Sequence, residues 1–255
     1  MKRGLPILIF TSLILIGCEE IPTVEKVTLP VKIELSSFSE KDENCTDSIC
    51  TKVEVSYPRL SGGDSSITAS LNAEIDALYR ETLGSRLPEP KSMGSIESLM
   101  SSFIDGYDLF VLEFPDSSTP WYLNIKGDES QLINDSLFTL RVDISDYMGG
   151  AHGNQTTLLS TFSLSTGNLI DIDAFHDGSL LDIAEKYFRD RYELSAEESL
   201  NEAGFIFPDT GFILPENIGV SEDGLVLFYN QYEVAPYSMG FTEIVIPWSE
   251  LQKDV

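Results

Sequence analysis

The chain has two histidines, His152 and His176, and the first sits in the run Tyr147-Met-Gly-Gly-Ala-His-Gly-Asn154, between glycines. An imidazole at such a place can serve as a general base, a ligand contact or a polar anchor within a turn. A general base needs an orienting group and a reacting group within about 3 Å. No nucleophile elbow, glycine-rich phosphate loop or zinc-helix motif accompanies His152. Gly149, Gly150 and Gly153 can supply the positive φ values that a twisted strand connection requires. The stretch therefore reads first as a turn whose imidazole bonds nearby backbone, and second as a ligand contact made by Tyr147, Gly149, Gly150 and His152.

His176 lies among Asp171, Asp173 and Asp177. Hard cations take oxygen ligands at a spacing like that of the EF-hand loop, and Phe175 interrupts it here, so a solvated strand-to-helix junction is expected, with no metal and no cofactor. A second aromatic stretch runs from Tyr232 through Glu-Val-Ala-Pro236-Tyr237 to Gly240. Tyr232, Pro236 and Tyr237 could form a rigid platform for a sugar or a protein loop. Alternatively they pack: Tyr232 is expected to fill the core while Pro236 and Gly240 shape the loop, and Tyr237 stays open between the two roles.

The three cysteines have separate tasks. Lys2 and Arg3 precede the apolar run Leu5 to Ile16, which is shorter than the roughly 20 residues a spanning helix needs and reads as a signal peptide. It ends in Leu15-Ile16-Gly17-Cys18, which resembles the lipobox of bacterial lipoproteins, so cleavage before Cys18 and lipid on Cys18 are expected. Glu19 and Glu20 follow and are not the aspartate that retains lipoproteins at an inner membrane. The expected address is the cell envelope, on the outer membrane where the organism has two. Cys45 and Cys50 remain as an even pair in an oxidising compartment, where a disulfide is the default.

Charge narrows the partners. The full chain carries −26, and without Lys2 and Arg3 the balance of 14 basic and 42 acidic residues becomes −28. Nucleic acid and anionic headgroups are disfavoured, because like charge raises the energy of approach over the whole surface. A cationic partner is favoured.

These residues must be positioned by a scaffold that the periodicities describe. Val27, Leu29, Val31, Ile33 and Leu35 alternate, as do Val53, Val55 and Tyr57, which predicts two strands joined by a Cys45–Cys50 tip. Leu71, Ile75, Leu78 and Leu83 form one helical stripe, with Asp64 or Ser66 as its cap. Ile96, Leu99, Met100, Phe103, Tyr107, Phe110, Val111 and Phe114 write a second helix, which Pro115 stops. From Trp121 the period becomes two, through Leu123 and Ile125, Phe138 to Ile144, and Leu158 to Leu164, a pattern that predicts an antiparallel meander. Leu180 to Arg191 is a third helix, and Ser195 with Glu198 resembles a capping box opening a short fourth, ended by Gly204. Strand-like segments follow at Phe212 to Leu214, Ile218 to Val220, Leu225 to Tyr229 and Phe241 to Ile246, with Trp248 and Leu251 on a last turn. The class is α+β, with mostly antiparallel strands and three or four helices packed on them.

The turn at Tyr147, the segment Thr161-Phe-Ser-Leu-Ser-Thr-Gly-Asn through Ser179, and the stretch from Tyr229 through Tyr232 and Gly240 to Leu251 together resemble the paired bacterial DUF4163 and DUF3298 families. With the signal peptide over 1–17 and a polar, aperiodic tether over 18–28, that resemblance, which runs from about Val31 to Leu251, implies an N-terminal DUF4163-like domain over 29–145 and a C-terminal DUF3298-like domain over 146–255. Such domains form the extracellular part of an anti-sigma factor that binds lysozyme, and accompany the catalytic domain of some peptidoglycan deacetylases. The sequence departs from both: it shows no apolar run of spanning length, no cytoplasmic sigma-binding segment and no aspartate and two-histidine metal set. The resemblance implies a non-catalytic binding module for a cationic, lysozyme-like cell-wall hydrolase, with a peptidoglycan-binding accessory protein as the alternative and a cell-wall-modifying enzyme as the third reading.

Overall fold

A computed structural model describes residues 29–43, 50–89, 94–116, 119–175 and 178–251. Among them the first sheet contains β1 (Lys32–Lys41), β2 (Lys52–Ser61), β3 (Tyr122–Lys126), β4 (Gln131–Ile133), β5 (Leu137–Tyr147) and β6 (Asn154–Ser163). Its order is β1-β2-β3-β5-β4, and β6 pairs with β5 as well. β1 and β2 form the expected antiparallel pair, from Lys32 opposite Ser61 to Lys41 opposite Lys52. β2 and β3 run parallel, which the alternation alone did not predict. A parallel pair needs a long crossover, and this one carries α1 (Ser65–Gly84) and α2 (Ile96–Glu113).

Both helices begin as their sequences dictate. The Asp64 carboxylate accepts the Ser66 N–H at 2.9 Å, and the Ser95 hydroxyl accepts the Ser98 N–H at 3.2 Å, each satisfying a donor that the first helical turn leaves unpaired. α1 buries Leu71, Ile75, Tyr79 and Leu83, and α2 buries Ile96, Leu99, Met100, Phe103 and Tyr107. They cover one face of the sheet, where Val53, Val55, Leu123, Ile125, Leu140, Val142 and Ile144 complete the first core. Gly106 is required inside α2 because a Cβ there would lie 2.8 Å from the Pro88 ring. The Tyr79 phenol donates to the Ser56 carbonyl at 3.1 Å. Burial, reinforced by the negative charges of Asp128 and Asp143, pushes its pKa well above the ordinary phenol value.

The second sheet is β7 (Asn217–Val220), β8 (Gly224–Tyr229) and β9 (Thr242–Pro247), in the order β7-β8-β9 and antiparallel throughout. α3 (Leu180–Arg191) packs on it through Leu180, Ala184 and Phe188. Phe188 is fully buried, and the rings of Phe205, Phe207, Phe212 and Tyr229 surround it at 4.9–5.8 Å between centroids. Phe212 is therefore core without being strand, Leu214 packs on that core partly buried, and Ile213 between them is exposed. The expected fourth helix is a series of turns: the Glu198 carboxylate does reach the Ser195 N–H at 3.3 Å, but no helical run follows. Arg189 explains part of this, since its guanidinium donates to the Ser195 and Glu198 carbonyls at 2.8 and 2.9 Å and so satisfies the segment without helical bonds. The chain's last described turn holds Trp248 and buries Leu251, as expected.

The two sheets are joined by side chains on the face of the first sheet that the helices leave open. Val220 sits between two threonines: its carbonyl accepts from Thr139 Oγ1 at 2.7 Å and its N–H donates to Thr161 Oγ1 at 3.0 Å. Asn230 treats β6 as a strand would, its amide oxygen accepting the Thr157 N–H at 2.7 Å and its amide nitrogen donating to the Thr157 carbonyl at 3.0 Å. Arg141 on β5 completes the clasp with Asp143 at 3.1 Å, Glu129 at 3.3 Å and Glu243 of β9 at 3.0 Å. Burial alone would lower the guanidinium pKa, but the hydrogen bonds and charges of Asp143 and Glu243 outweigh it and raise it.

The boundary expected between residues 145 and 146 falls inside the β5–β6 hairpin, whose strands pair from Leu137 opposite Ser163 to Asp146 opposite Asn154. The cores do not divide at a single point in sequence: Leu164 is the last side chain packed on the first, while the second takes Ile133 and Leu137 from the first sheet before it resumes at Ile170.

Candidate binding surface

The β5–β6 turn is tied down at its base. Asp146, 8% exposed, pairs with Arg86 at 3.3 Å and accepts from the Asn154 amide at 3.1 Å. No periodicity marks this residue, because an inward carboxylate on a strand looks like any outward one until its partner is known. Above it Tyr147 donates to the Gly150 carbonyl at 3.1 Å, and Gly149 and Gly150 take φ of +102° and +93°. These two glycines act as the sequence predicts. Gly153 does not: it is absent from the positive-φ residues, and its role is steric. A Cβ there would stand 2.6 Å from Tyr122 Oη and 2.8 Å from the Asp146 carbonyl.

His152 is exposed and meets the second aromatic stretch, 80 residues away in sequence. Its ring stacks on Tyr237 with centroids 3.9 Å apart and 23° between planes. The Nδ1 atom lies 3.0 Å from the Gly153 carbonyl, which can only accept, so Nδ1 carries the proton. In the neutral ring Nε2 is then the acceptor for Tyr232 Oη at 3.3 Å. Tyr237 Oη donates to the same Gly153 carbonyl at 3.0 Å, and the Tyr232 and Tyr237 rings lie 5.7 Å apart. Among the described residues no carboxylate hydrogen-bonds to the imidazole, so the contacts around His152 hold rings in place.

Pro236, extended at φ −66° and ψ 157°, leads into the short 3-10 turn Tyr237–Met239, and Gly240 ends it at φ +72°. Both residues shape the loop as expected. Tyr232 overturns its expectation: it is 57% exposed and takes φ +67°. A left-handed backbone turns its side chain out of the core, where Val234 and Ala235 are buried instead. Exposed Tyr232 and His152 thus form one surface aromatic cluster with the half-buried Tyr237, a juxtaposition that neither stretch encodes by itself.

Cys18, Cys45, His176 and Asp177 lie outside the described residues. Cys50 is partly buried just before β2. At the junction after β6 the Asp173 N–H donates to the Asp171 carboxylate at 3.1 Å, and among the described residues no three His, Cys, Asp or Glu side chains gather to hold a metal ion.

Residues 173–249 match the family model described as "Protein of unknown function (DUF3298)", and residues 44–155 match the model described as "Deacetylase PdaC". No curated protein matches the chain. The fold is similar to that of a DUF3298 family member from Bacteroides fragilis, at TM-score 0.67 and 22% identity over 86% of this chain and 92% of that one. It is also similar to that of a DUF3298 family protein from Pseudomonas aeruginosa, at TM-score 0.57 and 17% identity over 87% and 92%.

Proposed function

We propose that this chain, a DUF4163-like unit joined to a DUF3298 unit, is a lipid-anchored envelope protein that acts as a non-catalytic binding module for a cationic protein such as a lysozyme-like cell-wall hydrolase. The observation that carries the reading is Tyr232. A non-glycine residue in the left-handed region costs about 1–2 kcal/mol of backbone strain, and this one gains little burial in return. Strain kept at an exposed aromatic is best explained by what that aromatic touches. Tyrosine presents a large, stiff, amphipathic surface at low entropic cost, and His152 and Tyr237 hold it from two sides. The charge of −26 supplies long-range attraction for a basic partner.

The test is binding of the purified full chain to lysozyme, used as the basic probe, across a salt series. Affinity should fall steeply with ionic strength. Tyr232→Gly should weaken it by about tenfold or more, or 1.4 kcal/mol, while the unfolding midpoint stays level or rises because glycine relieves the strain. His152→Ala should cost less than about tenfold, since the imidazole mainly positions its neighbours. Equal affinity in Tyr232→Gly, or binding indifferent to salt, would overturn the reading.

The alternative, a peptidoglycan-binding accessory protein, draws support from the description of the model matched by residues 44–155.

A further inference from the structure

The stripe that α2 buries leaves Leu109 and Leu112 off it. They are 67% and 80% exposed, and Leu112 is the most exposed large apolar side chain among the described residues. Phe114, just past the helix and half-exposed, folds back on Phe110 at 5.2 Å, and Phe110 packs on Trp121 at 5.1 Å. An apolar path thus leads from the first core out to this surface. α1, which packs beside α2, turns only Ser, Ala and Glu fully outward. Exposed leucines scattered singly need no explanation, but large apolar side chains gathered in one place and rimmed by polar groups mark a contact. The rim here is acidic. Asp105, Asp108, Leu109 and Leu112 recur at spacings of three and four and so share one helical face, with Glu113 at the helix end. α2 carries no lysine or arginine, and no ion pair holds Asp105, Asp108 or Glu113 among the described residues. Acids at this end oppose the helix dipole, whose negative pole lies at the C-terminus and favours cations. Partial burial, then the charges of Asp42 and Asp105, push the Asp108 pKa up, so the carboxylates press on one another beside the leucines.

We propose that the outward face of α2 docks a basic amphipathic helix of a partner protein, whose apolar side chains seat on Leu109, Leu112 and Phe114 while its lysines or arginines meet Asp105, Asp108 and Glu113. From Asp105 to Phe114 the face is about 15 Å long, which two or three turns of a partner helix cover with anchors at three- and four-residue spacing. Charge complementarity selects this occupant. A second copy of the chain would bring the same acids against these. A bilayer would have to take the carboxylates along with the leucines, against headgroups that are neutral or negative. A basic helix satisfies both halves, since its apolar side chains cover the leucines while its charges offset the acids and the C-terminal pole of α2. The surface goes beyond the Tyr232 reading and does not rest on it, because the two share no residue.

Titration of the full chain with a synthetic leucine–lysine peptide of about 14 residues, written at the helical period, and with a scrambled peptide of the same composition tests it. Calorimetry or amide shifts should give a Kd on the order of 10 μM for the periodic peptide and binding at least about tenfold weaker for the scrambled one. Leu109→Gln combined with Leu112→Gln should weaken the periodic peptide by about tenfold. Asp105→Asn combined with Asp108→Asn should weaken it severalfold and flatten its salt dependence. All of these side chains are exposed, so both double variants should keep the urea midpoint of the wild type. Tyr232→Gly should leave peptide binding unchanged, which separates this surface from the lysozyme contact whichever of the two fails. Absence of binding by the folded wild type at roughly 1 mM periodic peptide would overturn the proposal. So would equal affinity for the scrambled peptide, full affinity in the leucine double variant, or loss of binding in Tyr232→Gly. A concentration-dependent dimer in sedimentation, or adsorption to phosphatidylcholine vesicles, that the leucine double variant abolishes would assign the face to another occupant and overturn it as well.

Discussion

At the scale of single residues, the three glycines of the β5–β6 turn look alike in sequence and do different work. Gly149 and Gly150 relieve backbone strain, with nothing within 4 Å of an added Cβ. Gly153 relieves crowding, because a Cβ there would press on Tyr122 Oη and on the Asp146 carbonyl, and a carbonyl locked in a hairpin cannot swing aside. Overpacking of this kind costs about 1–3 kcal/mol. It would also disturb the Gly153 carbonyl that accepts from both Tyr237 and His152. Gly153→Ala is therefore expected to lower stability by about 2 kcal/mol, and Gly149→Ala by about 1 kcal/mol, in urea unfolding. The opposite order would show that conformation, and not contact, dominates the turn. Only the strained pair could be read from the sequence, since glycine spacing announces a turn but not which neighbour comes close.

At the scale of elements, periodicity and capping located the three α-helices of the described residues and the strands longer than four residues, because each of these buries one face and writes it at a period of two or 3.6. What it missed depends on contacts between distant segments. The parallel β2–β3 pair is set by where the two-helix crossover returns, and β4 is three residues long and held by β5. Tyr232 was expected in the core because aromatic content signals burial while φ leaves no mark on composition. The β1–β2 hairpin was legible, and it frames a prediction. The Asp42 N–H donates to the Thr51 carbonyl at 3.0 Å, closing the ladder just before the connection that contains Cys45 and Cys50. Their pairing is expected to appear in mass spectrometry of non-reduced peptides, and free thiols in protein taken from the envelope would count against it. Because the loop closed is short, replacing both with serine should leave the fold intact and lower its stability by roughly 2 kcal/mol on the chain-entropy model.

At the scale of the molecule, two cores clasped by Arg141, Asn230 and Val220 make one unit with the aromatic cluster and the outward face of α2 on its surface. A chain of charge −26, or −28 without Lys2 and Arg3, would be repelled from an anionic bilayer, so attachment to a membrane calls for a dedicated device. Among the described residues no helix is long and apolar enough to cross one. Lipid on Cys18 would supply the device, since buried acyl chains contribute about 0.8 kcal/mol per CH₂ and two or more chains hold firmly against charge repulsion. The described side chains of both cores lie between Val31 and Leu251, so anchoring and folding should separate cleanly. Cys18→Ser is expected to move the protein out of the detergent phase, or to leave its precursor uncleaved, without shifting the urea midpoint of the purified chain. Lysozyme binding in solution should survive the change, because the proposed contact at Tyr232 belongs to the folded body and not to the tether. Unchanged processing and detergent partitioning of Cys18→Ser would overturn the anchor, and a lowered midpoint would show that the segment before Leu29 takes part in the fold.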